Sequence, residues 1–484
     1  MLFQHETKRL LAVLLAILGL LALSAAYWAV DGPDSLLRRP DNPRLVESAA
    51  AIRRGAIYDR NELELVTSAP ASANVGASMV RQSHLEAAYS AVGYYSLRYG
   101  ASGVELAYDS HLSGADRSPT LQEAFEIRML HRPAEGGDIR LTLDANIQQR
   151  LADRLAGLTG AGVVIDVPSG EILAAVSLPT YNPNTLDLEW DQLVEAPGDP
   201  FFNRVVQGRY QPGSALQTPM IAAASLVDYA FDRTFEGGTL PYVLEQVTSE
   251  CAVRLPEGAL TLQQAYIFAC PSPFAAFAEE IGAAVVGATL ETFHVEDYPA
   301  LPGFAPAIEN ETAPTPTPES TEQAEAPSIV ASALGQGDIV VSPLMMALIT
   351  AGIVNDGNVP QPTLLDATRS SSGGLPGDWQ EPVATEPTFP IATANTARLL
   401  QDFMRDAVAN GAAQNAGRPE IDIGGHAALA YAGDESHVWF IGFTTLRQNR
   451  AVAIAIVVEN NADPGLAADI GGDVLATAHD LLMP

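Results

Sequence analysis

Tyr210-Gln211-Pro212-Gly213-Ser214-Ala215-Leu216-Gln217 is the stretch on which the reading of this chain turns. Its Pro-Gly pair makes a tight turn, and the Ala-rich apolar run from Met220 onward continues it as a helix. Pro219 sits awkwardly inside that pattern and predicts a kink or a late helix start. Ser214 then falls in the first helical turn, facing the positive end of the helix dipole, where an exposed hydroxyl suits attack on a carbonyl. The plainer alternative is that Ser214 only caps the helix N-terminus.

The residues that lead in, Asn203-Arg204-Val205-Val206-Gln207-Gly208-Arg209, favour the first reading. With Tyr210 to Gln217 they resemble the "NR…Y.PGSxxK" segment of the penicillin-binding proteins. The resemblance implies a serine that attacks a peptide stem of the cell wall and a lysine one helical turn later that takes its proton. The lysine place holds Gln217. Its amide is no useful proton acceptor, although it could hydrogen-bond the serine hydroxyl and hold it in place. Lys8 is the only lysine in the chain. A bias toward arginine would exchange surface lysines freely, but it would not by itself remove one that performs chemistry.

Working outward, Arg54-Gly55-Ala56-Ile57-Tyr58-Asp59-Arg60-Asn61 resembles the "RGxIxDRNG" entry of class B penicillin-binding proteins, with Glu62 where the family has glycine. Gly93-Tyr94-Tyr95-Ser96-Leu97-Arg98-Tyr99-Gly100 and Ser102-Gly103-Val104-Glu105 resemble the pedestal of the short, actinobacterial-type (penicillin-binding protein A-like) members. Gly162-Val163-Val164-Ile165-Asp166 and Glu171-Ile172-Leu173-Ala174-Ala175-Val176 flank Pro168-Ser169-Gly170 and read as a β-hairpin. They match the family's "GAVVVLDPxTGEILAMVSxPxYDPN" stretch. Val438 to Phe443 and the run 451–460 read as adjacent strands, followed by a closing helix over 474–482.

The expected fold is therefore α/β (α+β): a penicillin-binding/β-lactamase-like transpeptidase domain on a small N-terminal pedestal, behind one membrane helix. The resemblance implies a mainly antiparallel sheet with helices on both faces and a helical lobe beside the cleft. Residues 1–9 are read as a cytoplasmic N-terminus, 10–30 as the membrane anchor, 31–137 as the pedestal and 138–484 as the transpeptidase-like domain. A strand at 138–144 and a helix at 145–158 open that last domain. Residues 306–327, rich in Pro, Thr and Glu, read as a disordered excursion within it. Asp31 to Asn42 reads as a short stalk.

The apolar run 10–30 is long enough to span a bilayer, and Lys8 and Arg9 ahead of it predict a cytoplasmic N-terminus with the remainder outside. A cleaved signal peptide competes, but the run exceeds a usual signal core and ends at Tyr27-Trp28, an interfacial aromatic pair. A formal charge of −32 argues against nucleic acid as a partner. The eight histidines are scattered, no Cys/His spacing resembles a metal site, and neither a metal nor a cofactor is expected. Cys251 and Cys270 could form a disulfide or remain two buried thiols.

Two further motifs carry the chemistry of the resembled family. Its Ser-x-Asn falls on Ala269-Cys270-Pro271, where the relaying serine has become Ala269 and the substrate-holding asparagine Pro271. Its Lys-Thr-Gly falls on His426-Ala427-Ala428, which lacks the cation, the hydroxyl and the glycine. Of the catalytic set Ser214 alone remains. The resulting expectation is an inactive homologue that works in peptidoglycan synthesis or cell division as a scaffold or regulator beside wall-synthesis or division proteins. Three alternatives stand beside it. An active serine D,D-transpeptidase is one. A Ser214–His426 acyl hydrolase is another, although no acid is identifiable to orient the imidazole, Asp434 and Glu435 being nearby in sequence but unplaced, and a histidine at a strand edge is more often structural. The last is a protein that binds stem peptides without reacting.

Overall fold

The computed structural model describes residues 2–30, 49–70, 79–117, 133–244, 247–297, 301–304, 328–372, 375–382, 389–433, 435–448 and 450–483, with isolated positions between 120 and 129 and at 299. The expected stalk, the whole excursion at 306–327 and Asp434 lie outside the described residues. Helix α1 (Leu2–Val30) contains the span Lys8–Tyr27, 20 residues of mean hydropathy 2.5 that bury nothing against the rest of the chain. At about 1.5 Å rise per residue that span matches a hydrocarbon core of roughly 30 Å.

The pedestal is pinned by a buried ion cluster. Arg54 is 5% exposed, and its guanidinium meets Glu105 at 2.9 Å and Asp109 at 2.6 Å while lying over the ring of Tyr95. Arg81 shares Glu105 at 2.6 Å. Around this cluster β1 (Ile57–Tyr58), β2 (Glu64–Pro70), β3 (Met79–Ser83) and β4 (Asp138–Leu141) join a strand from far along the chain, Leu365–Arg369. The order is Leu365–Arg369, β4, β1, β2, β3, with only β1 and β4 parallel. Asp138–Leu141 is shared: it pairs with β1 of the pedestal on one edge and with Leu365–Arg369 on the other, and Ile139 and Leu141 are fully buried.

Asp144 starts helix α2 (Ala145–Leu155) by accepting from the backbone N–H groups of Asn146 and Ile147. The helix stops short of the expected 158 as the chain turns through Gly157, whose φ is +80°. Strands β5 (Gly160–Val167) and β6 (Ile172–Leu178) form the expected hairpin around Pro168-Ser169-Gly170. The chain then builds the lobe: α3 (Gln217–Leu226), β7 (Tyr242–Leu244), β8 (Val247–Ser249), α4 (Leu262–Ile267), α5 (Pro271–Ile281), α6 (Pro343–Val354) and α7 (Ala394–Asn410). Strands β9 (Ile423–Ala432), β10 (Glu435–Thr445) and β11 (Ala451–Val458) complete the central sheet. Its order is β9-β10-β11-β5-β6, antiparallel throughout.

Every residue of β5 and β11 is buried, as their unbroken apolar sequences require of strands covered on both faces. One face packs α2 and the closing helix α8 (Pro464–Leu482), the other α6 and the lobe. The closing helix starts ten residues before the expected 474, because Asp463 caps it and Pro464 occupies its first turn. Strand β9 is left at the sheet edge, facing the turn that carries Ser214.

Candidate active site

Gly213 explains the approach of that turn to the sheet. Its φ is +53°, and a Cβ there would lie 2.2 Å from the carbonyl oxygen of Leu429 and 2.6 Å from the Cα of Ala430. Only glycine meets both demands. On its other side Gly213 N–H donates to Gly335 O at 2.9 Å, and a Cβ on Gly335 would lie 2.4 Å from Gly213 O, which accounts for the glycine opening Gly335-Gln336-Gly337. Upstream, Tyr210 and Val341 exchange both backbone bonds, and the Trp439 indole donates to Gln211 O at 3.0 Å. The Tyr210 hydroxyl donates to Glu459 Oε1 at 2.6 Å, and buried Arg204 meets the same oxygen at 2.8 Å. Burial and the Glu459 carboxylate push the Tyr210 phenol upward, so it stays a donor. This network holds the segment from Asn203 to Gly213 rigidly against β10 and β11.

Ser214 is half-buried in a single 3-10 turn, Gly213–Leu216, and α3 begins only at Gln217. The late start that Pro219 suggested is therefore real, with Pro219 in the first turn, where its missing N–H costs nothing. Ser214 is not the helix cap. Its hydroxyl oxygen accepts the backbone N–H of Leu429 on β9 at 3.1 Å.

The other candidates gather around it, but in different roles from those expected. Gln217 is fully buried and does not hold the serine hydroxyl: its Nε2 donates to the carbonyl of Cys270 at 3.1 Å. Its Oε1 finds no partner among the described residues. His426 is also fully buried and stacks on Tyr266 with ring centroids 4.3 Å apart. Its Nε2 lies 3.1 Å from the carbonyl oxygen of Ser214, not from the hydroxyl. A carbonyl only accepts, so Nε2 carries the proton. The basic nitrogen is Nδ1, buried without a partner among the described residues. Burial lowers the imidazole pKa to about 4. Glu435 lies at the far end of β9 and β10, paired with Ala432, six residues along the strand from His426. Among the described residues no acid is hydrogen-bonded to His426.

Ala427 and Ala428 are fully buried on β9 opposite Phe440 and Trp439. Ala269 and Pro271 bracket the break between α4 and α5. Ala269 N–H donates to Tyr266 O at 3.0 Å and Cys270 N–H to Ala265 O at 2.8 Å, the bonds that close a helix on a left-handed residue. Ala269 is that residue, at φ +51°, and Pro271 opens the next helix. Cys270 between them is joined to Cys251 in a disulfide, which settles the alternative left open by the sequence. Sequence reasoning did not single out the Leu429 N–H, the Cys270 carbonyl or Tyr266. The first two are backbone groups and carry no signal in residue type.

The penicillin binding protein transpeptidase domain matches residues 160–476, and the penicillin binding protein A dimerisation domain matches residues 54–139. The chain belongs to the penicillin-binding protein transpeptidase family. It is 27% identical to the peptidoglycan D,D-transpeptidase PbpA of Mycolicibacterium smegmatis, over 97% of this chain and 98% of the relative. Among solved structures it is similar to penicillin-binding protein A from M. tuberculosis in an imipenem acyl-enzyme complex, at 25% identity and TM-score 0.75, covering 89% of this chain and 99% of that one. The D,D-transpeptidase domain of a peptidoglycan glycosyltransferase from Eggerthella lenta matches at 26% identity and TM-score 0.74, over 89% and 99%. The pedestal thus corresponds to the family's dimerisation domain. Within this family fold the serine turn and the β9 edge lie side by side, and the groups around them are amide, methyl and neutral imidazole.

Proposed function

We propose that this chain is a non-acylating penicillin-binding protein homologue that serves peptidoglycan synthesis or cell division as a scaffold or regulator. The bonding of Ser214 carries the reading. Its hydroxyl accepts from Leu429, and Gln217, at the place of the family's proton acceptor, is turned to Cys270. General base assistance is worth about a hundred- to ten-thousand-fold. Gln217, Ala269 with Pro271, and His426-Ala427-Ala428 stand where the resemblance puts three motifs that act as one unit. The names of the relatives, peptidoglycan D,D-transpeptidases, support wall synthesis as the setting. A span at Lys8–Tyr27 behind a basic Lys8-Arg9 flank supports a single-pass anchor with the folded domains outside the cytoplasmic membrane. The partners in this reading are wall-synthesis or division proteins.

Labelling the detergent-solubilised full chain with a fluorescent penicillin tests it. The expected result is no covalent adduct after a chase with unlabelled drug, at concentrations that saturate an active family member. A stable adduct mapped by mass spectrometry to Ser214 overturns the reading in favour of an active enzyme. Saturable, non-covalent binding of stem peptides would favour a wall-peptide receptor instead.

A further inference from the structure

Strand β9 is the free edge of the central sheet, yet it is buried for most of its length. Leu429 N–H points off the outer edge, toward Ser214, so by the two-residue strand period Ala427 and Tyr431 share that edge. A row of such groups is where an extended peptide adds itself to a sheet. Here Ala427 and Ala428 are fully buried. Part of the cover is the Gly213–Ser214 turn. The rest is the chain that follows the β7–β8 hairpin. β8 packs on β9, Glu250 lies near the Tyr431 side chain, and Ala252 and Val253 pack on the cluster that includes Ala269, Ile423 and Ala427. Cys251, inside this segment, is disulfide-bonded to Cys270, whose carbonyl holds the Gln217 amide one turn from Ser214.

We propose that Glu250–Val253 is a strap, a built-in occupant of the remnant cleft, and that the Cys251–Cys270 disulfide latches it over the outer edge of β9. While the latch is closed no peptide strand can pair with β9. Reduction by a dithiol transfers two electrons and two protons: the S–S bond breaks, two thiols form on Cys251 and Cys270, and the dithiol becomes a cyclic disulfide. The strap is then free to leave the edge. The proposal deepens the reading of an inactive member by stating what fills its cleft, and it does not require Ser214 to be unreactive.

Hydrogen–deuterium exchange on the full chain in detergent tests it, with thiol alkylation and mass measurement to verify the redox state. Reduction by dithiothreitol, or Cys251→Ser, is expected to raise exchange across 423–432 by about tenfold or more while β5, β10 and β11 stay protected. Val253→Asp, with the disulfide intact, is expected to open the same edge. Unchanged exchange at β9 after verified reduction overturns the strap. So does loss of protection over the whole sheet, which would make the disulfide a general staple of the fold. Penicillin labelling of the same samples separates the two proposals. An adduct on the oxidised chain defeats the inactive reading alone, and one that appears only after reduction defeats that reading while supporting the strap.

Discussion

His426 is held neutral by its surroundings. A carbonyl and the Tyr266 ring face it, and no acid among the described residues offsets the loss of water. Its pKa is lowered from 6.5 to about 4, so between those values the unfolded chain binds a proton that the folded chain refuses. The stability this site contributes is complete above pH 6.5 and drains away as the pH falls toward 4. Between pH 7 and pH 5 the loss is about 2 kcal/mol for this group. His437, also lowered by burial, adds to the wild-type trend, so the informative quantity is the difference between variants. His426→Gln is expected to lose less stability than wild type over that interval, by about 2 kcal/mol, in urea titrations at the two pH values. Parallel losses in both proteins would refute the assignment. The sequence showed an imidazole beside the candidate serine only as an expectation from the resemblance. It could not show which nitrogen is bonded, because that depends on a backbone carbonyl 212 residues away.

At the scale of elements, the break between α4 and α5 is set by backbone conformation. Ala269 adopts the left-handed conformation that ends α4, a place where glycine is the common residue, and its methyl pays for that geometry. Ala269→Gly is expected to stabilise the domain by about 1 kcal/mol, read as a higher urea midpoint with an unchanged slope. A fall in midpoint would show that the buried methyl matters more than the backbone. Glu62 is the counterpart in the pedestal. It sits at φ +63° where the resembled motif has glycine, and its carboxylate meets Arg140 at 3.2 Å and the Trp379 indole at 3.1 Å. The hairpin, the paired strands near the C-terminus and the late start of α3 were legible because each follows from local periodicity or proline. The end of α2, the start of α8 and the placement of Asp138–Leu141 were not, since capping and sheet partnership decided them.

At the scale of the molecule, the pedestal and the transpeptidase domain are joined by rings as well as by the shared β4. Tyr99 stacks on Trp190 with centroids 4.0 Å apart and planes 4° from parallel. Tyr94 meets Tyr181, Trp190 and Phe201 edge-on. Ser96 Oγ donates to Asp187 at 2.5 Å, and Asn184 exchanges bonds with the Ser83 backbone. Aromatic pairs add about 0.5–1.5 kcal/mol each beyond the area they bury. Trp190→Ala is therefore expected to cost about 2 kcal/mol and to expose the pedestal to limited proteolysis before the central sheet opens. Simultaneous cleavage of both parts at the wild-type rate would show that the rings do not couple them. From sequence alone these aromatics were as readily read as ordinary core.

What the sequence determined by itself was the family architecture and the residue types that stand around Ser214. Periodicity, turn residues and motif order are local properties, and a missing lysine is missing in any conformation. The tertiary structure decided what the replacements do. Gln217 bonds Cys270, His426 faces a carbonyl, the Ser214 hydroxyl rests on the Leu429 N–H, and the two cysteines join. Each of these contacts pairs groups distant in the chain, and most end on a backbone atom that every residue type possesses, so they arise only when the serine turn and the β9 edge are packed together.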